Sequence, residues 1–307
     1  MKLPARWVLI ASLLCCASAL ASGKSNIRIA LTFDDLPRHS DVSPGVTRQQ
    51  VAKDIIAALK AAHTPPVYGF VNAVHLQNDP KLAEVLIDWR AAGFPLGNHT
   101  WSHANLDTLS PDAMAEEITR DEATLGKYSK GKDWHWFRYP FLAEGSTPAK
   151  RAEIRSVLAK RGYHVATVTM SFGDYLWNAP YARCAAKHDE EAIKLLERNY
   201  LAAAEQAIDQ SHIMSNALYD RDIPYVLLMH IGAFDAHMLP RLLAMYKSKG
   251  VQFVSLPMAE SDPVYAGEME PLLSMAPSML DGRMMQRGLP LPQGDPSLTA
   301  DLDTICK

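Results

Sequence analysis

Thr32-Phe33-Asp34-Asp35 places two carboxylates at the end of the first apolar run in this chain of 307 residues. The run, from Ile27 to Leu31, is mostly aliphatic and is closed by Leu36-Pro37, a pattern that predicts a buried β-strand. Adjacent carboxylates resist joint ionisation, and a divalent cation would remove that cost, with one Asp binding metal and the other accepting a proton. Taken alone, the pair is more typical of an acidic surface turn after a strand.

Segments with strand character alternate with helical segments from residue 27 to residue 257. The predicted strands cover residues 27–31, 67–71, 94–97, 136–139, 163–169, 225–230 and 252–256. The predicted helices cover residues 47–59, 79–93, 110–125, 148–161, 190–210 and 239–249. Repeated strand–helix units predict an α/β fold with a parallel sheet under helices, either doubly wound or closed as a barrel.

Length and charge limit the possible classes of protein. A chain of 307 residues can form one large domain or two small ones, and it can bury a sizeable core. The net charge of −3 gives no electrostatic support for a nucleic-acid partner. Beyond the N-terminus, no apolar stretch is long enough to predict a membrane span.

The N-terminus has the pattern of a secretory signal peptide. Lys2 and Arg6 precede an apolar stretch from Trp7 to Leu20, and Ala19-Leu20-Ala21 fits a cleavage site. We expect residues 1–21 to be removed and the mature protein to be periplasmic or secreted. A short membrane anchor and a lipoprotein, through Cys15 or Cys16, are the alternatives.

The last 50 residues lack the strand–helix alternation. From Pro257 onward the sequence is rich in Pro, Met and Gly, which predicts that residues 258–307 form an irregular arm packed on the body formed by residues 22–257. After signal cleavage the only cysteines are Cys184 and Cys306, and an oxidising compartment favours a disulfide between them. Such a bond would hold the arm beside the barrel mouth; two separate thiols are the alternative.

Two histidines follow the third predicted strand, in the segment Gly97-Asn98-His99-Thr100-Trp101-Ser102-His103. A four-residue spacing predicts that His99 and His103 share one face of a helical turn, close enough to bind one metal ion. With Asp34 and Asp35 at the same edge of the sheet, this donor set is typical of an open, catalytic metal site. Two unrelated surface histidines are the alternative.

Further polar groups follow the fourth, fifth and sixth predicted strands. Arg138 could pair with an Asp or with substrate, or be an ordinary surface residue. Asp174, beside Tyr175 and Trp177, could belong to an aromatic sugar subsite or to core packing. His230 could be a general acid or a structural group, and its place at the catalytic edge of the sheet favours the acid.

These segments together resemble the polysaccharide deacetylases, which form carbohydrate esterase family four. The five matching motifs are Thr32-Phe33-Asp34-Asp35, His99-x3-His103, Arg138-x-Pro140-Phe141, the Asp174-Tyr175 region and Leu228-x-His230. The resemblance covers about residues 27 to 257. It implies a distorted (β/α)7 barrel, which agrees with the seven strands counted above. The sequence shows no sign of a second domain, so we expect a single domain with the C-terminal arm attached.

The resemblance also implies a role for each motif residue. Asp34 would be the catalytic base, and Asp35, His99 and His103 would bind a divalent metal ion, expected to be Zn²⁺. Arg138 would orient Asp34, the Phe141 N–H would stabilise the oxyanion, and His230, tuned by Asp174, would protonate the leaving amine. Phe141, Tyr139, Tyr175 and Trp177 are the expected substrate-binding residues. The implied reaction is metal-assisted hydrolysis of N-acetyl groups on an amino-sugar polymer or oligomer.

The motifs depart from the family pattern at three positions. Ser171 and Tyr175 stand where the fourth motif usually has an Asp and a Trp, and Ile231 stands where an Asp often follows the histidine of the fifth. The pKa of His230 would therefore depend on Asp174 alone. Two alternative functions remain: a hydrolase of O-acetyl esters or small cyclic amides, and an inactive sugar-binding relative.

Overall fold

The computed structural model describes residues 27–129, 131, 133–269 and 279–307, which form a parallel β-sheet surrounded by α-helices. The strands are β1 (Arg28–Leu36), β2 (Tyr68–Val71), β3 (Leu96–Asn98), β4 (Trp136–Phe137), β5 (His164–Val165), β6 (Tyr225–His230) and β7 (Gln252–Val254). Every pairing between them is parallel, as connections through helices require. The α/β prediction is confirmed.

Eleven α-helices connect and cover these strands within the described residues. They are α1 (Arg48–Ala61), α2 (Val74–Asn78), α3 (Ala83–Ala91), α4 (Pro111–Tyr128), α5 (Pro148–Lys160), α6 (Asn178–Ala186), α7 (Glu190–Tyr219), α8 (Ala233–Ser248), α9 (Leu256–Glu260), α10 (Ala266–Met269) and α11 (Leu280–Gln286). Side chains cap three of the predicted helices: Thr47, Ser110 and Thr147 each accept a hydrogen bond from a backbone N–H of the first turn.

The sheet is curled around β1. One edge of β1 pairs with β6 from Ile29 to Asp34. The other edge is shared: its start pairs with β7, and its end, from Thr32 onward, pairs with β2. The strand order is β5-β4-β3-β2-β1-β6, and Met170, just after β5, bridges to Leu227 on β6. The last contact brings the two ends of the sheet together, which produces the distorted barrel expected from the sequence.

Several element boundaries differ from the sequence-based prediction. β5 has two residues where residues 163–169 were expected, because the chain leaves the β4 ladder after Val165 and rejoins the sheet at β6. β7 stops at Val254, since Ser255 caps α9 through its side chain. Helix α8 begins at Ala233 rather than near Leu239, and it accommodates Pro240 in its interior.

The hydrophobic core lies between the sheet and the helices. Phe33 on β1 and Trp89 on α3 pack edge to face, with ring centroids 5.7 Å apart. Packing requires a glycine at position 97 in β3, because a Cβ there would lie 2.4 Å from the Phe70 ring. This close approach of β3 to β2 sets the position of the next residues, Asn98 and His99, at the edge of the sheet.

The predicted signal peptide lies outside the described residues. In the part of the chain that the structure describes, no helix combines the length and the apolar character needed to cross a membrane.

The described C-terminal arm is more regular than its composition suggested. It contains the end of α9, all of α10 and α11, and two short 3-10 turns. Cys184 on α6 forms a disulfide with Cys306, as predicted. The Arg183 side chain donates hydrogen bonds to the carbonyls of Leu302 and Ile305, so α6 holds the end of the arm through both covalent and polar contacts.

We expect the Cys306→Ser variant to lose roughly 2–5 kcal/mol of unfolding free energy, because the bond joins residues 122 positions apart and restricts the unfolded chain. Denaturant unfolding checks this result. Cys184→Ser and the double variant should lose the same amount, since all three lack one and the same bond. Full stability of Cys306→Ser, or two alkylatable thiols in protein purified without reductant, would contradict the disulfide.

Candidate active site

A cavity of 440 Å³ lies at the carboxyl ends of the strands. In parallel α/β folds, this edge of the sheet carries the functional groups. Eight residues predicted from the sequence to belong to the site line the cavity: Asp34, Asp35, His99, His103, Tyr139, Phe141, Tyr175 and His230. Motifs separated by almost 200 residues in the chain therefore meet at one place.

Asp35 lies next to both histidines of the second motif. Its Oδ1 is 3.5 Å from Nε2 of His99 and 3.5 Å from Nε2 of His103. Two ligand atoms bound tetrahedrally at about 2.0–2.2 Å from a zinc ion are roughly 3.3–3.5 Å apart. Asp35 Oδ1 is buried, and among the described residues it has no hydrogen-bond partner. An oxygen and two imidazole nitrogens at this spacing fit a divalent metal ion.

The backbone between the two histidines is not helical, contrary to the sequence-based prediction. Residues 99–105 form a loop in which Thr100 has a φ of 63° and His103 a φ of 58°. The Asn98 side chain accepts a hydrogen bond from the Thr100 N–H, which holds the first of these turns. A left-handed backbone conformation is unfavourable for residues with a Cβ, and it persists where surrounding contacts hold it, often at functional sites. The loop, rather than a helix face, brings the imidazole rings to a centroid distance of 4.8 Å.

Both imidazoles present Nε2 in a form able to bind metal. His99 donates from Nδ1 to the Arg138 carbonyl at 2.8 Å, which leaves Nε2 with its lone pair. Burial is the largest cause that lowers the pKa of His103, to about 4. His103 is therefore neutral near pH 7, and a metal ion would displace no proton from it.

Asp35 is held in its charged form. Burial by itself would raise the pKa of this carboxyl, but the hydrogen bond from His39 and the neighbouring imidazoles of His99 and His230 outweigh it and hold the pKa well below its usual range. A carboxylate must be deprotonated to bind a metal ion, and Asp35 is deprotonated and has one oxygen without a hydrogen-bond partner among the described residues.

Asp34 belongs to a buried network with Arg138. Nη1 of Arg138 donates to both carboxylate oxygens of Asp34, at 3.1 and 3.3 Å. Nη2 donates to Thr32, and Nε donates to the Ala166 carbonyl. The guanidinium also stacks over the Phe70 ring at 4.7 Å. Arg138 is thus fixed on every side, and it fixes the Asp34 carboxylate beside the metal-binding group.

His230 and Asp174 form a second buried pair. Asp174 Oδ1 accepts from His230 Nδ1 at 3.0 Å, and Oδ2 accepts from the His230 backbone N–H at 2.6 Å. Burial would lower the pKa of His230, but the charge and hydrogen bond of Asp174 raise it to about 10. The imidazole is therefore protonated at neutral pH, with Nε2 free to donate.

A further buried carboxyl, that of Asp235, lies behind this pair, and the sequence analysis did not identify it. Tyr200 and Asn178 each donate a hydrogen bond to Asp235 at 2.8 Å. Burial and the nearby charge of Asp174 raise the pKa of Asp235 well above its usual range. Asp174 remains the direct partner of His230, as expected from the sequence.

The four aromatic residues expected to bind substrate have different environments. Phe141 and Tyr175 are 66% and 47% exposed and lie at the cavity rim, while Tyr139 is buried in its wall. Trp177 is fully buried and packs against Tyr200 and Phe172, so its ring is part of the core. We correct that assignment and omit Trp177 from the substrate-binding residues.

His39 is a member of the site that the sequence analysis missed. Its Nδ1 donates to Asp35 Oδ2 at 2.7 Å, and its ring lies 4.7 Å from that of His230. The only signal in the sequence is its position four residues after Asp35, within the loop that follows β1. That spacing carries no meaning until the path of the loop is known.

Comparison with known sequences agrees with the assignment of the first three motifs, which lie within residues 22–166. The family model for polysaccharide deacetylases matches residues 22–166. A chitin deacetylase of Arthroderma benhamiae is 31% identical over 150 residues, which are 49% of this chain and 36% of that protein. A chitin deacetylase of Pestalotiopsis sp. is 25% identical over 171 residues, or 56% of this chain and 47% of that protein. The matched region thus spans less than half the length of each curated relative.

Comparison with solved structures supports the fold. A mutant of a carbohydrate esterase family 4 pseudoenzyme, with restored enzymatic activity, superposes with a TM-score of 0.53 at 14% identity, covering 77% of this chain and 68% of that one. The family 4 domain of a multidomain xylanase from the hindgut metagenome of Trinervitermes trinervoides gives a TM-score of 0.51 at 16% identity, covering 77% and 91%. At these identities the likeness concerns the fold alone.

Proposed function

We propose that this chain is a polysaccharide deacetylase, the family whose model matches residues 22–166, and that it hydrolyses N-acetyl groups of an amino-sugar polymer or oligomer and releases acetate. One observation carries the proposal: the Asp35, His99 and His103 group, the Arg138-bound Asp34 and the Asp174-bound His230 all face a single cavity. Metal-assisted amide hydrolysis uses three such components, namely a metal site, a base and an acid. The two curated relatives named as chitin deacetylases favour an N-acetylated glycan.

Asp35, His99 and His103 would hold a divalent ion, for which we propose Zn²⁺ because imidazole and carboxylate ligands suit it. When bound, such an ion supplies Lewis acidity, which polarises a carbonyl and lowers the pKa of water. Three protein ligands leave coordination positions free, as catalytic zinc sites require.

Asp34 is placed to act as the general base. Its Oδ2 lies 3.6 Å from His99 Nε2. The Asp34 carboxylate is therefore next to the metal-binding group, but it is not one of the three proposed ligands. Arg138 holds both oxygens of Asp34, which fixes the direction of proton transfer from the attacking water.

His230 is placed to act as the general acid. Its Nδ1 is engaged by Asp174, so Nε2 is the nitrogen that can donate a proton to the leaving amine. We assign oxyanion stabilisation to the Phe141 backbone N–H. Phe141 has a φ of 57°, a left-handed conformation in the tight turn after β4. The centroid of its ring lies 4.4 Å from that of His103, so the residue is next to the metal-binding group.

Sugar rings would contact the rim of the cavity. Phe141 and Tyr175 present exposed aromatic surface there, and apolar ring faces of sugars pack well on such side chains. Tyr139 would contact the substrate from the cavity wall.

We further propose that residues 1–21 direct export and are removed near Ala21, that residues 22–257 form the catalytic barrel and that residues 258–307 form the arm. The protein would act in the periplasm or outside the cell. The Cys184–Cys306 disulfide supports this localisation, since such bonds persist in oxidising compartments.

A direct test measures acetate released by the zinc-loaded protein from chitin oligomers and from acetylated xylan. We expect release from the N-acetylated oligomers and loss of release after removal of metal with a chelator. Release from xylan alone would favour an O-acetyl esterase. Binding of oligomers with no release from either substrate would indicate an inactive sugar-binding relative.

The acid role of His230 predicts a dependence on the leaving group. We expect His230→Ala to slow amide hydrolysis by about 10²–10⁴-fold and to affect an aryl acetate much less, because a phenolate leaves without a proton. His237→Ala is a matched control on α8, where the imidazole pairs with Glu197 outside the cavity. Equal losses on amide and ester substrates would show that His230 is structural.

A further inference from the structure

The Asp35 carboxylate has one constrained oxygen and one unconstrained oxygen. Oδ2 accepts the hydrogen bond from His39 Nδ1 at 2.7 Å. Oδ1 faces His99 and His103 at 3.5 Å and is without a hydrogen-bond partner in the described part of the chain. The torsion that turns an Asp carboxylate is broad, so this side chain has little orientation preference of its own. The two oxygens are equivalent until one of them is engaged, so an external contact must fix the orientation in which the other oxygen faces the histidines.

The His39 ring is itself held in place. The Arg48 guanidinium donates to the backbone carbonyls of His39 and Ser40, which fixes the loop that carries the ring. The ring packs against His230 at a centroid distance of 4.7 Å and meets Tyr175 edge to face at 6.5 Å. A hydrogen-bond donor supported on both its backbone and its ring can hold a carboxylate in one orientation.

We propose that His39 is a positioning residue that aims Oδ1 of Asp35 at the metal-binding group by holding Oδ2. The inference rests on the proposed function only in taking Asp35, His99 and His103 as the metal ligands. His39 makes no contact with the reacting atoms in this role; it acts through the ligand.

Interatomic distances distinguish a positioning role for His39 from a role as ligand of a second metal ion. Asp35, His39 and His230 also lie within reach of a common ion. The 2.7 Å between His39 Nδ1 and Asp35 Oδ2 is the length of a charge-assisted hydrogen bond, and it is shorter than the roughly 3.3–3.5 Å between two ligands of one zinc ion.

The test is Zn²⁺ binding to metal-free protein, measured by competition with a chromophoric chelator. We expect His39→Leu to bind one Zn²⁺ about 10–100-fold more weakly, the usual effect of removing a hydrogen bond to a metal ligand. His39→Asn should bind within about threefold of the unsubstituted protein, because its amide nitrogen can donate from nearly the same position as Nδ1. His39→Gln reaches the position of Nε2 instead, and it should resemble His39→Leu.

His212→Leu is the matched control, since His212 donates from Nδ1 to Asp222 at 2.9 Å on the exposed surface of α7. It should leave Zn²⁺ binding unchanged. Unaltered affinity in both His39→Leu and His39→Gln would overturn the proposal. A second tightly bound Zn²⁺ that disappears in His39→Leu would also overturn it, because His39 would then be a ligand. Binding is measured without substrate, so these outcomes are independent of whether the protein proves to be a deacetylase.

Discussion

Asp34→Asn is expected to lower turnover of an N-acetylated oligomer by about 10²–10⁴-fold, the range that a general base contributes. The amide is nearly the same size as the carboxylate and can still meet Arg138 through its oxygen, so the variant should fold. It cannot accept a proton from water. Metal content should be unchanged, since Asp34 is not one of the three proposed ligands. Acetate release combined with metal analysis checks both expectations.

The comparison variant for this experiment is Asp41→Asn, an exposed residue in the loop after β1. It should retain full activity. Loss of metal in Asp34→Asn would contradict the division of roles between the two carboxylates, and activity close to that of the unsubstituted protein would contradict the assignment of the base. The two outcomes are distinguishable because occupancy and turnover are measured on the same sample.

His103→Ala is expected to remove most of the bound metal and to abolish turnover. The substitution removes His103 Nε2, one of the three proposed ligand atoms, which lies 3.5 Å from Asp35 Oδ1. Loss of a residue that only supports a ligand typically weakens metal binding 10–100-fold, so loss of the ligand itself should exceed that range. Metal analysis after dialysis at submicromolar zinc is the measurement.

His63→Ala serves as the comparison for His103→Ala, because His63 is an exposed residue after α1, outside the cavity. We expect it to keep one equivalent of metal. Full occupancy in His103→Ala would remove His103 from the ligand set. Retained occupancy with lost turnover would give the residue a role in the chemical step instead.

These two variants separate the components of the mechanism. Asp34→Asn should give a metal-loaded protein that cannot activate water, whereas His103→Ala should give a protein that is inactive because it lacks metal. Excess zinc should therefore restore part of the activity of His103→Ala and none of that of Asp34→Asn. Restoration follows from mass action, since raising the metal concentration fills a weakened site.

Much of the fold follows from local sequence patterns. Runs of aliphatic residues predicted the seven strands, and capping residues such as Thr47 and Ser110 predicted where helices begin. These signals act over a few residues, so they are legible without knowledge of tertiary structure. The same holds for the cysteine pair: the two cysteines that follow the predicted signal peptide left one possible bond between them, which the structure contains.

The sequence also identified most residues of the site, because the carboxyl ends of parallel strands meet at one edge of a sheet. Asp34, His99 and His230 could therefore be grouped before any distance was known. Their roles came from the family resemblance. Neither the sequence nor the resemblance gave the distances on which these roles depend, such as the 3.5 Å from Asp35 Oδ1 to each histidine.

Tertiary structure alone decided the features that depend on distant or irregular backbone. The loop between His99 and His103 uses left-handed residues, which no spacing rule foresees. Trp177 turned inward because Tyr200, from a different helix, packs against it. The contact between His39 and Asp35 depends on the path of the loop after β1. Local propensity determines where a strand or helix forms, but side-chain contacts across the sheet are set by packing of the whole chain, and that packing leaves no local signal in the sequence.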